Sequence, residues 1–169
     1  MSEPVDTPIG TVTVEHFRPK HVRHQVVVGP KFLYALFNSR DQLHQVSRAF
    51  MAFVRDGDLP YRRLIVNDHI VDEAATRLKK QASMRNAASF LKTLDESTLY
   101  QFESVPEDVF GDAKATFIEW TDLDASFTDF VVAAHMEAMD IEHILTYDRH
   151  YDAFDVTTLP YGNQGTASR

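Results

Sequence analysis

The feature that most constrains this chain is its set of short apolar runs rich in β-branched residues, Gln25-Val-Val-Val28, Arg63-Leu-Ile-Val66 and Ile141 to Thr146, separated by stretches with helical apolar spacing. Such runs lack the alternation of a strand with one wet face, so they read as strands buried on both sides. Strands alternating with helices imply an α/β chain of three layers, in which a mostly parallel sheet of 4–5 strands has helices on both faces. Thr98 to Phe102 supplies a further strand, and Val156 to Leu159 a weak fifth.

The helical stretches carry their own boundary signals. Gly29-Pro30 turns the first strand into a helix with proline in its first turn, and Phe32, Leu33, Leu36 and Phe37 form its apolar face. A second helix runs from Asp41 to Arg55 and stops at Asp56-Gly-Asp58 and Pro60. Asn67 or Asp68 caps a third that buries Ile70, Ala74 and Leu78. Others are expected from Ser83 to Leu94, from Pro106 through Trp120, and from Phe127 to Met139.

With 169 residues, 44% of them hydrophobic, the chain suits one domain, here residues 25–159. Residues 1–24 read as an N-terminal arm, with Thr11 to Val14 as a short edge strand, and the polar residues 160–169 read as a flexible tail. There is no cysteine, which excludes disulfides, thiolate metal sites and cysteine nucleophiles. An acidic, polar start and the lack of a long apolar run predict a soluble cytoplasmic protein without membrane contact. The net charge of −8 argues against broad attraction to polyanions, so nucleic-acid binding needs a local basic patch or bridging cations.

No glycine-rich phosphate loop, nucleophile elbow or HExxH zinc pattern is present. What remains is a set of carboxylates placed near strand ends and helix starts. Asp129 closes Ser126-Phe-Thr-Asp129, which reads as a capping box or as a ligand held ionised by the helix N-terminus. Asp148 follows the Ile141 to Thr146 strand and reads as the cap of a short turn or as a second ligand. Glu73 has Arg77 four residues on, the spacing of an exposed helical ion pair. Together the three acids would offer the hard oxygen ligands that a divalent cation requires. Asp122 and Asp124 read as solvated loop charges or auxiliary acids. Arg77, Lys79, Lys80 and Arg85 form a basic helical face or a rim that contacts phosphates, and His135 reads as a hydrogen-bonded, partly buried side chain.

Three segments, Asp68-His-Ile-Val-Asp-Glu73-Ala-Ala-Thr-Arg-Leu, Asp122-Leu-Asp-Ala-Ser-Phe-Thr-Asp129 and Leu145-Thr-Tyr-Asp148-Arg-His-Tyr, make the chain resemble PIN-domain proteins, including VapC-type ribonuclease toxins, from Gln25 to Leu159. The resemblance implies an RNA-acting protein, ancestrally an endoribonuclease that uses Mg²⁺ or Mn²⁺, with Glu73, Asp129 and Asp148 as catalytic metal ligands. Ser126 and Thr146 would orient them by hydrogen bonds, and Lys31, Arg77 and Lys80 would contact RNA. It also implies a homodimer and an antitoxin-like protein partner. The chain departs from the pattern where the family carries an acid after its first strand: Val28-Gly29-Pro30-Lys31 has no carboxylate there. The alternative to an active nuclease is therefore a degenerate PIN domain that binds RNA or protein without cutting.

Overall fold

The computed structural model describes residues 1–162. A small hairpin comes first, β1 (Val5–Thr7) paired antiparallel with β2 (Gly10–Val12). The main sheet holds β3 (Gln25–Val28), β4 (Arg63–Asn67), β5 (Tyr100–Glu103), β6 (His143–Leu145) and β7 (Thr157–Leu159). Their order is β5-β4-β3-β6-β7, and every pairing is parallel. Among the described residues six helices flank it: α1 (Pro30–Leu36), α2 (His44–Arg55), α3 (Asp68–Gln81), α4 (Met84–Glu96), α5 (Glu107–Glu119) and α6 (Phe127–Met139).

The centre of the sheet is β3, where Val27 sits opposite Ile65 on one side and Ile144 on the other. Val26, Val27, Val28, Leu64, Ile65, Val66, Ile144 and Leu145 are all buried, as strands covered on both faces must be. The chain leaves β3 toward β4 but returns later to place β6 on the opposite side. That reversal makes the region beyond the carboxyl ends of β3 and β6 the switch-point crevice, the place where open α/β sheets bind ligands.

Caps set the helix boundaries. The Asn67 side chain accepts from the Ile70 amide at 2.8 Å to open α3, and Ser83 accepts from Asn86 at 3.0 Å to open α4. Asp140 ends α6 in the left-handed region at φ 55°, ψ 45°. The second helix begins at His44 rather than Asp41, because Asp41 forms a turn instead. Its carboxylate accepts from the Leu43 amide at 2.8 Å and its carbonyl from the His44 amide at 3.0 Å.

The N-terminal segment, which reads as an appendage in the sequence, sends Val12, Val14 and Phe17 into the main core. The Phe17 ring lies 5.1 Å from Phe50, and its carbonyl accepts the buried Tyr61 hydroxyl at 2.6 Å. Ser2 hydrogen-bonds Asp58 between α2 and β4, and the Tyr161 amide donates to the His16 carbonyl at 2.8 Å. A second apolar cluster of Ala113, Phe130 and Val131 joins α5 to α6. From residue 163 onward the expected tail lies outside the described residues. Among the described residues, no helix is long and apolar enough to cross a membrane.

Candidate functional site

Three elements deliver acids to the crevice: α6 brings Asp129 in its first turn, the segment after β6 brings Asp148, and α3 brings Glu73 in its second turn. Asp129 is both a cap and a crevice group. Its carboxylate accepts from the Ser126 amide at 2.9 Å, and its own amide donates to the Ser126 hydroxyl at 3.2 Å. Only 4% of the residue is exposed. Asp148 likewise caps the 3-10 turn Arg149–Ala153, accepting from the His150 amide at 3.0 Å, and its amide donates to the Thr146 hydroxyl at 2.9 Å. The Ser126 and Thr146 hydroxyls thus accept from the backbone amides of Asp129 and Asp148 and hold the two segments.

Asp129, Asp148 and His150 bring one ligand atom each to within 4.8 Å of one another. The His150 Nδ1 lies 2.9 Å from Asp148 Oδ1 and 3.8 Å from Asp129 Oδ2. Burial pushes the Asp129 carboxyl up from its ordinary pKa, and the Asp148 charge adds to this, against the pull of the Ser126 hydrogen bonds. Glu73 is also pushed up, first by burial and then by Asp129, while Arg77 and Lys31 pull the other way. It therefore shares the field of the pair, although its oxygens lie outside that tight cluster.

Several positive or polar groups face these acids. The Lys31 ammonium lies 3.4 Å from Asp148 Oδ2. Arg77, one turn beyond Glu73, sets its guanidinium 4.9 Å over the Tyr34 ring and donates from Nε to Gln81 at 3.2 Å. Tyr151 is buried, and its hydroxyl has no hydrogen-bond partner of ordinary geometry among the described residues. It nevertheless lies close enough to Asp129 for that charge to reinforce burial in holding the phenol well above its usual range.

The remaining sequence candidates stand apart. Asp122 and Asp124 are exposed in the connection between α5 and α6 and do not join the carboxylate cluster, so they are not auxiliary ligands in this conformation. Lys80 is exposed in the last turn of α3, about 10 Å along the helix axis from Glu73. His135 is buried, with its Nδ1 3.1 Å from the Asn67 amide nitrogen, the satisfied role expected of it. His150 and Tyr151 were not among the candidates. The only available signal was their position immediately after Asp148, where a one-turn helix returns both side chains to the carboxylates.

Gly29 ends β3 beside β6, with its amide donating to the Leu145 carbonyl at 2.8 Å. A Cβ there would lie 3.1 Å from that carbonyl oxygen and 3.4 Å from the Thr146 Cβ, so even alanine requires a small shift. In kind, the carboxylate oxygens and the His150 nitrogen gathered here are donors that suit Mg²⁺ or Mn²⁺. In charge the site is poor, because Gly29 contributes nothing and Lys31 already neutralises part of Asp148. The residues fit a weakly held divalent cation.

No family model and no curated protein sequence matches the chain. Solved structures do match. The VapC20 toxin of Mycobacterium tuberculosis, described as cleaving the sarcin-ricin loop, is 23% identical with a TM-score of 0.67, over 78% of this chain and 98% of that one. VapBC2 from Rickettsia felis, solved on a DNA fragment from its promoter, is 10% identical with a TM-score of 0.57, over 79% and 96%. FitAcB from Neisseria gonorrhoeae is 12% identical with a TM-score of 0.55, over 79% and 96%. With the five-stranded parallel sheet and its six helices, these likenesses define the class: the chain has the PIN-like α/β fold of VapC structures.

Proposed function

We propose that the protein acts on RNA at the crevice of Glu73, Asp129 and Asp148, as a PIN-type endoribonuclease whose divalent cation is held weakly. The observation that carries this reading is the crowding of ionisable oxygens from three elements at the switch point of the sheet. Two of the three carboxyls are pushed up, first by burial and then by a neighbouring acid, Asp129 acting on Glu73 and Asp148 on Asp129. Such crowding costs stability in a fold with no ligand to relieve it, and is common where function demands it.

When bound, Mg²⁺ or Mn²⁺ would neutralise a phosphodiester oxygen and lower the pKa of a water molecule. Asp129 and Asp148 offer the oxygens that would hold it, kept in place by Ser126 and Thr146. Glu73, whose pKa is raised by burial and whose oxygens lie outside the tight cluster, would be the acid left to accept a proton. Lys31 and Arg77 place positive charge beside the acids, where an RNA backbone would approach, and Lys80 would extend that contact along α3.

The test is cleavage of a panel of structured and single-stranded RNAs across a Mn²⁺ titration, with Asp129→Asn as control. Cleavage that rises with Mn²⁺ and disappears in the variant supports the reading; cleavage indifferent to both removes it. A second reading, RNA binding without hydrolysis, is favoured by Gly29 and by the Lys31–Asp148 ion pair. It predicts RNA retention with no product at any Mn²⁺ concentration.

The toxin neighbours suggest a cytoplasmic role with an antitoxin-like protein laid across the acidic crevice, and a homodimer as the working form. Co-purification with the product of an adjacent small reading frame would support the antitoxin, and a molar mass of two chains by light scattering would support the dimer.

A further inference from the structure

We propose that Lys31 is a built-in counter-ion of the acidic crevice, so that a divalent cation enters only by displacing its ammonium from Asp148. The proposal rests on the crevice being a cation site, and it adds an internal competitor for that site.

Four observations converge on it. The Lys31 Nζ lies 3.4 Å from Asp148 Oδ2, while the other oxygen of that carboxylate faces His150 Nδ1 at 2.9 Å, so both oxygens already have basic partners. The pair is partly withdrawn from water, with side-chain exposures of 33% for Lys31 and 13% for Asp148, so the attraction is screened less than on an open surface. Lys31 is also felt by Glu73, so one charge serves two acids. Finally, Gly29 supplies no carboxylate from β3, which leaves the lysine two residues on as that segment's only charged group at the crevice.

Lysine suits such a role because its ammonium is a compact charge on a flexible stem, able to leave one carboxylate and follow another anion. An entering divalent ion would meet that charge at close range and be repelled until the stem swings away. The released ammonium would then be free to meet an RNA phosphate, which makes cation entry and phosphate contact successive uses of one side chain.

Calorimetric titration of the full chain with Mn²⁺, without RNA, tests this directly. Lys31→Met is expected to bind Mn²⁺ at least about tenfold more tightly than the wild type, the scale of removing a unit charge a few ångström from the ion. Lys31→Arg, which keeps the charge, should stay near wild type, and Lys31→Met combined with Asp148→Asn should lose the gain. Equal affinity in the wild type and Lys31→Met overturns the counter-ion role while leaving the cation site standing. No Mn²⁺ binding in any form, including Gly29→Asp with Lys31→Met, overturns both. Circular dichroism of each variant confirms that the comparison is between folded proteins.

Discussion

Replacing Asp129 with Asn is expected to make the protein more stable, because the crevice holds its charges at the expense of the fold. The closest ligand atoms of Asp129 and Asp148 belong to a cluster within 4.8 Å. Two unit charges about 5 Å apart repel by about 3 kcal/mol at an effective dielectric near 20. His150 and Lys31 relieve part of this at Asp148, and the amide oxygen of Asn would retain a weaker form of the Ser126 hydrogen bond. A net gain of about 1–2 kcal/mol follows at pH 8, equivalent to a rise of about 0.5–1 M in the urea midpoint.

The pH dependence carries the sign. Because the folded-state pKa of Asp129 is raised, the native state binds that proton more readily than the unfolded chain does. The wild type therefore keeps this contribution below the unfolded pKa and loses it as pH rises through the folded one. The variant has no such titration, so its advantage should be full at pH 8 and close toward about pH 4, the ordinary carboxylate range. Urea denaturation at several pH values measures it. A midpoint at pH 8 that is unchanged or lower in the variant, or an advantage independent of pH, refutes the argument from crowded charge.

Other positions test other parts of the account. Phe17→Ala should cost about 3–5 kcal/mol in urea unfolding, the loss expected for a fully buried aromatic, whereas a loose arm would show almost none. Asp140→Gly should raise stability by about 0.5–1 kcal/mol, since glycine takes the left-handed C-cap of α6 without strain. Gly29→Asp should lower the melting temperature in chelator, because its Cβ crowds the Leu145 carbonyl and adds a fourth acid, yet show a larger upward shift with Mn²⁺ than the wild type. Equal responses to Mn²⁺ would show that position 29 does not face the cation.

The strands of the main sheet were legible because burial on both faces leaves runs such as Val26-Val-Val28 and Leu64-Ile-Val66 that few other environments tolerate. Ser126 and Asp129 were legible as a cap for a local reason: the chemistry lies within one helical turn. The core role of Phe17 was hidden because its partners Phe50 and Tyr61 are more than 30 residues away, and the alternation of Thr11 to Val14 stops before it. Asp122 and Asp124 resembled auxiliary ligands by proximity in sequence, but the α5–α6 connection leaves them in solvent. His150 and Tyr151 were missed for the converse reason. Their contact with Asp129 depends on a 3-10 turn folding back against α6, which no local spacing announces. Lys31 was visible as a charge near the crevice, but its pairing with Asp148 needed the β3–β6 adjacency that only the folded sheet supplies.

The most direct test of the central claim is product formation from labelled RNA in millimolar Mn²⁺, comparing the wild type with Asp129→Asn and with the wild type in chelator. The account predicts slow cleavage by the wild type alone, lost both in the variant and on chelation. Cleavage of equal rate in all three samples would contradict it, because the hydrolysis would then owe nothing to the acids gathered at the ends of β3 and β6.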